Sequence, residues 1–335
     1  MDHLISRHSG GPYVDAPPGC GSRDQLDGSN WIVDSNNVRR PITRLGTVLF
    51  RVALVVTLGL CLWNVATAKA DSVEYLMVPS AAMGRDIPVA FQAGGRRAVV
   101  LLDAFNAAPD VSNWVTAGNA MTTLAGKGIS VAAPAGGAWS MYTNWQGDGS
   151  KQWETFLSQE LPDWLAANKG LSPRGHGIVG VSQGGTAALT LAEQYPDRYV
   201  YAGSMSGFLN PARTEVNGVI TTGMAQYGGV DTEQMWGTPH SGRWNWHDPA
   251  VNTRLLVDHN TRLWIFSPTA LTCTDPAAMI NACDQAHATN RLFYARFHDN
   301  FGKNATFEFG DGQHDWGTWG PQLVRMSGDL AAAIK

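Results

Sequence analysis

Gly180-Val-Ser182-Gln-Gly184 matches the pattern G-x-S-x-G, in which a serine sits on a sharp strand-to-helix turn with its hydroxyl lifted clear of the backbone. A serine hydroxyl is a weak nucleophile until a base takes its proton, and the base needs a partner that fixes its tautomer. Of the nine histidines, His314 combines place and order: it follows the serine, in the loop signal Gly310-Asp-Gly-Gln-His-Asp-Trp-Gly317, ahead of the last helical run. For the third member, Asp275 and Asp284 are the candidates. Asp275 precedes Pro276 and reads as a helix N-cap, so Asp284 is the favoured acid, with a solvated helix residue as its alternative. Together Ser182, His314 and Asp284 would carry out acyl transfer through an acyl-serine. In a chain with 37 glycines the motif is weak by itself, and a Gly-rich turn with a structural serine is the competing reading.

Context has to decide, which turns attention to the elements that would hold these residues. Apolar, strand-like runs fall at Val73–Val78, Ile87–Gln92, Ala98–Leu102, Ile129–Ala133, Ile178–Val181, Tyr199–Ser204, Leu263–Ser267 and Thr306–Phe309. Helical patterns fall at Asn113–Leu124, Gln152–Ala167, Thr186–Tyr195, Pro249–Asp258, Pro276–Phe297 and Trp319–Ile334. The alternation predicts an α/β fold with a mostly parallel central sheet and helices on both faces. Ligands in such sheets bind beyond the carboxyl ends of the strands, where Asp103, Pro134, Ser182 and Ser206 would lie. Asp103 could equally cap the following segment, and Ser206 could simply be a small residue in a tight turn.

The 335 residues are 44% hydrophobic and only 16% charged, with 13 tryptophans and a formal charge of −4. That balance leaves no basic footprint, so neither nucleic acid nor an anionic membrane is expected as a partner. Residues 1–45 are polar, rich in Gly, Ser, Asp and Asn, and read as a disordered extension. Residues 46–70 read as a secretory signal: basic residues Arg39, Arg40 and Arg44 lead into an apolar run from Val52 to Trp63, then Ala66-Thr-Ala68-Lys-Ala70, with cleavage after Ala70. A retained signal anchor is the rival, though Arg51 leaves the run short of a span. The length ahead of the signal suggests that translation starts near Val38. Residues 71–335 then form one domain, secreted or associated with the cell wall. Cys273 and Cys283 remain in it, and in an exported chain a disulfide closing a loop of about 11 residues is the default, contributing about 2 to 3 kcal/mol. No metal or cofactor pattern stands out: His287 and His298 are isolated, the cysteines lack C-x-x-C spacing, and no Gly-rich phosphate loop follows the first strand.

Taken together, Leu101-Leu-Asp-Ala-Phe-Asn, Ser140-Met-Tyr-Thr-Asn-Trp145, Trp153-Glu-Thr-Phe-Leu, Glu160-Leu-Pro-Asp-Trp-Leu, the serine turn, Ser204-Met-Ser-Gly-Phe-Leu-Asn-Pro211 and Met235-Trp-Gly resemble the secreted antigen 85 mycolyltransferases. The similarity spans nearly all of residues 71–335 and is greatest to the shorter paralogue often called fibronectin-binding protein D. This resemblance implies an α/β-hydrolase fold and transfer of a mycolyl chain between trehalose esters, or onto a cell-wall sugar. By position it implies Ser182 as nucleophile and His314 as base. Phe105 and Gln183 would supply oxyanion N–H groups, and Asp103, Ser206, Asn210 and Trp316 would line the sugar site. The chain departs from the family at two points: Asn106 stands where the transferases have arginine, and Cys283 falls at their acidic position, one residue before Asp284. The shorter paralogue implies a second reading, a non-catalytic protein that binds fibronectin or small sugars. Retention of Ser182 and His314 favours the enzyme.

Overall fold

Ala98-Val-Val-Leu-Leu102 has no polar side chain to turn toward water, and the chain buries all five residues as strand β3. The computed structural model describes residues 72–239, 241–269 and 282–335. The expected extension 1–45, signal segment 46–70, and Asp275 and Cys273 lie outside those residues. The other strands are β1 (Val73–Ser80), β2 (Arg85–Gln92), β4 (Ser130–Pro134), β5 (His176–Val181), β6 (Tyr199–Met205), β7 (Arg262–Pro268) and β8 (Ala305–Gly310). They make one sheet in the order β1-β2-β4-β3-β5-β6-β7-β8. From β4 across to β8 every pairing is parallel, and β2 runs antiparallel to both its neighbours. The expected α/β architecture is the one observed.

Helices cover both faces because strand residues alternate between them. Val100, Leu102 and Ile178 face a core closed by Trp153, Leu161 and Leu165, by Leu189 and Leu191, and by Phe293 and Phe297. These come from α3 (Trp153–Thr155), which runs through a π turn at Phe156–Glu160 into α4 (Leu161–Lys169), from α5 (Gln183–Gln194) and from α10 (Ala282–Asp299), with α9 (Pro249–Asp258) alongside. Val99, Leu101, Val179 and Val181 face the other way, against Trp114 of α1 (Asn113–Thr116), Leu124 of α2 (Ala120–Leu124) and Leu323, Met326 and Leu330 of α11 (Trp316–Ile334).

A third apolar cluster gathers Phe105 and Phe208, which follow β3 and β6, with Val216, Ile220 and Met224 of α6 (Thr214–Gly228), Trp236 of α7 (Glu233–Trp236) and Trp244 of α8 (Gly242–Trp246). The sequence reading left residues 214–246 unassigned. Their helices show weak apolar periodicity, two of them are a single turn long, and burial against one another and against Phe105 holds them in place.

Strand register levels the carboxyl ends. Leu102 pairs with Gly180, Val181 with Met205, and Met205 with Phe266, so the residues that follow those strands emerge together.

Candidate active site

Ser182 sits between β5 and α5 with φ 54° and ψ −122°, a conformation that costs a non-glycine residue roughly 1 to 3 kcal/mol. The surroundings impose it. A Cβ on Gly180 would lie 2.2 Å from the Gly184 backbone, and one on Gly184 would lie 2.6 Å from Leu102 O, so strand and helix approach closer than any side chain allows. The Ser182 N–H donates to Met205 O at 2.9 Å, and Ser182 O accepts from Gly185 and Thr186. The serine thus opens α5, whose N-terminal end favours negative charge.

His314 Nε2 lies 3.0 Å from Ser182 Oγ. The histidine lies in the loop after β8, one residue ahead of Asp315, which caps α11 by accepting from Thr318 N at 3.0 Å. Gln313 N donates to Thr318 Oγ1 at 2.7 Å, which fastens the loop to the helix. The imidazole lies over Phe208 with centroids 6.2 Å apart and meets the edge of Trp319 at 5.1 Å. Phe208 is itself pinned by Thr186, whose hydroxyl accepts from Phe208 N at 2.9 Å.

Other expected site residues fall in different surroundings. Ser206, buried and at φ 55°, accepts from Trp319 Nε1 at 3.1 Å and so braces the ring beside His314. Asn210 donates to Asp248 Oδ2 at 2.7 Å, and the same oxygen accepts from Ala212 N. Trp316 is half-buried, edge-on to both Trp114 and Trp319. Phe105 stacks on Trp139 with centroids 5.0 Å apart and approaches Phe208 at 6.2 Å.

Two expectations need correcting. Asp103 is fully buried, and its carboxylate accepts from Ser112 Oγ, Asn113 N and Trp114 N at 3.0 to 3.2 Å. It anchors the loop into α1, the capping alternative, and presents no surface to a sugar. Burial pushes its carboxyl up to about 7 against the opposing pull of those hydrogen bonds. Asp284 is exposed in the first turn of α10, and no hydrogen bond or ion pair joins it to His314. Cys283 beside it points inward, 3% exposed, and is disulfide-bonded. On a helix adjacent residues point about 100° apart, so burying Cys283 turns Asp284 outward.

Sequence reasoning missed Phe208 and Trp319 as the rings flanking the imidazole. Their signal was positional: Phe208 lies just beyond a strand end, and Trp319 stands three residues after Trp316 on one helix face. Among the described residues, no group of three or more His, Cys, Asp and Glu side chains could hold a metal. No described helix is long and apolar enough to cross a membrane.

A mostly parallel sheet with helices on both faces and a strained serine elbow facing a histidine from the last loop define an α/β-hydrolase. The family model described as "Putative esterase" matches residues 80–330. The MPT51/MPB51 antigen of Mycobacterium tuberculosis is 59% identical over 295 residues, covering 86% of this chain and 99% of that protein. The Mycolicibacterium smegmatis protein described as diacylglycerol acyltransferase/mycolyltransferase Ag85B is 41% identical, covering 80% of this chain and 89% of its own length. The crystal structure of Mycobacterium tuberculosis MPT51 (FbpC1) superposes with TM-score 0.77 at 62% identity, covering 79% of this chain and all of that one. The chain belongs to this esterase family, in the group formed by MPT51 and the antigen 85 acyltransferases.

Proposed function

We propose that the chain is an exported, secreted or cell-wall-associated serine acyltransferase or esterase that moves a long acyl chain between trehalose esters, or onto a cell-wall sugar. The observation that carries this reading is the 3.0 Å contact between Ser182 Oγ and His314 Nε2 at a strained elbow. His314 takes the hydroxyl proton as Ser182 attacks the ester carbonyl. The negative oxygen turns toward the N–H of Phe105, after β3, and that of Gln183, at the N-terminal end of α5. Collapse expels the donor alcohol, which leaves with the proton from His314. A sugar hydroxyl then enters by the reverse path and collects the acyl group. The rings of Phe105 and Trp139 supply apolar wall for the chain, backed by buried Phe208, and Trp316 borders the acceptor side, where buried Ser206 and Asn210 support the surrounding loops. The name borne by Ag85B, an acyltransferase, supports the reaction class.

The test is incubation with a trehalose ester and free trehalose, followed by product analysis. Acyl exchange that disappears in Ser182→Ala supports the reading, whereas equal product with both proteins refutes it.

One observation favours a second reading, a non-catalytic protein that binds fibronectin or small sugars. The position at which the resemblance places the acid is a buried, disulfide-bonded cysteine, and Asp284 faces water. On that reading Ser182 and His314 touch but do not turn over substrate.

A further inference from the structure

The side chain of Gln183 is committed entirely to main-chain groups of two other loops. It is fully buried. Its Nε2 donates to Ala104 O at 2.8 Å and to Gly137 O at 2.9 Å, and its Oε1 accepts from Met141 N at 3.1 Å. Ala104 belongs to the loop after β3, and Gly137 and Met141 to the loop after β4. That second loop is strained: Trp139, Met141 and Tyr142 all hold φ near +50°, where side chains other than glycine are disfavoured. A carboxamide carries two donor hydrogens and one acceptor oxygen, and each of these three is engaged here.

The Ala104 carbonyl has a consequence for catalysis. A trans peptide is planar, so its C=O and the following N–H point in opposite directions. Holding Ala104 O, which also accepts from Ala107 N at a longer 3.2 Å, therefore sets where the Phe105 N–H points, and that N–H meets no acceptor among the described residues. Phe105 O in turn accepts from Trp139 N at 2.9 Å, so the next peptide is fixed to the same strained loop.

We propose that Gln183 is the positioning residue of the oxyanion hole. Its own N–H is one donor, and its carboxamide, by gripping Ala104 O, aims the Phe105 N–H as the other. The inference rests on the catalytic reading above. In the step concerned, Ser182 Oγ bonds to the carbonyl carbon, its proton passes to His314, and the carbonyl π pair moves onto oxygen. Both N–H groups must already face that oxygen, because reorienting them during reaction would cost part of their benefit.

The test uses the full chain and two variants. Gln183→Met keeps the length of the side chain but none of its hydrogen bonds. Gln183→Glu keeps an acceptor for Met141 N but turns a carboxylate oxygen toward the two carbonyls. Active sites are counted with a fluorophosphonate, so misfolded protein drops out. Each protein is then assayed on an activated p-nitrophenyl ester and on its thionoester, whose sulfur draws little from N–H donors. Per active site, kcat on the oxygen ester should fall about 10- to 100-fold, with KM moving less than about threefold. The preference for oxygen ester over thionoester should shrink about tenfold. An unchanged kcat, or an equal fall on both esters that leaves the ratio intact, overturns the proposal and assigns Gln183 a purely structural job. If the parent chain neither labels nor turns over, the catalytic reading fails first and takes the inference with it.

Discussion

Ser182 and His314 share a hydrogen bond yet are held by different means. Ser182 follows a strand buried on both faces, and its backbone is clamped by Met205 O and by close backbone approaches at Gly180 and Gly184, where an added Cβ would lie 2.2 and 2.6 Å from neighbouring main chain. His314 lies half-buried in a loop between β8 and α11, located by a cap, a threonine bond and two rings. Ser182 is placed by backbone packing, where an added methyl has nowhere to go. His314 is placed by side-chain contacts, each of which can be weakened alone.

The proposed chemistry would couple the halves even though their supports differ. Ser182→Ala and His314→Ala should each lower kcat by up to about 10⁶-fold, and the double variant should be no worse, because the pair acts as a unit. Ester hydrolysis under single-turnover conditions checks this, and additive losses would contradict it. A methyl placed on the nucleophile half should come next. Gly184→Ala puts a Cβ 2.6 Å from Leu102 O and should cost about 1 to 3 kcal/mol or more, read as a lower unfolding midpoint in urea together with lost activity.

The corresponding change on the base half should be milder and selective. Trp319→Phe removes the donor to Ser206 Oγ and reshapes the edge against His314. It should lower kcat about tenfold while costing only about 1 kcal/mol of stability. A loss of stability as large as that of Gly184→Ala would erase the contrast between the halves.

Asp103 sharpens the comparison through pH. Folding raises its carboxyl to about 7, so between the ordinary carboxylate range and pH 7 the folded state holds a proton that the unfolded chain has released. Stability from this group is therefore present at low pH and lost as pH rises through that window. The melting temperature of the parent chain should fall by roughly 5 °C between pH 4.5 and 7.5, and Asp103→Asn should flatten the slope. The smallest effect belongs to Asp284→Asn. An exposed carboxylate with no bond to His314 should change kcat less than about threefold, against roughly 10⁴-fold for an acid that orients the imidazole.

What could be read from the sequence follows the same division. Seven of the eight expected strands lie within observed ones and the eighth, Ile129–Ala133, is offset by one residue from Ser130–Pro134, because continuous apolar runs such as Ala98–Leu102 have one stable environment, the inside of a parallel sheet. Ser182 and His314 were legible as a pair because the elbow and the last loop carry local signals, glycines around one and a Gly-rich turn around the other. Asp103 was half legible: its strand-end position was right, but whether it would face ligand or its own loop depended on Ser112 and Asn113, ten residues on. Asp284 was placed by neighbourhood, and the burial of Cys283 turned it outward. The cap helices from Thr214 to Trp246 were not legible, since their burial depends on Phe105 and Phe208, far away in the chain.

The central claim is that a proton passes between Ser182 and His314, and active-site labelling tests it most directly. The full chain is treated with a fluorophosphonate and mapped by peptide mass spectrometry, beside Ser182→Ala and His314→Ala. A single modified peptide carrying the adduct on Ser182 is expected, absent from the first variant and slowed by several orders of magnitude in the second. An unlabelled Ser182, or equal labelling with and without His314, would contradict it.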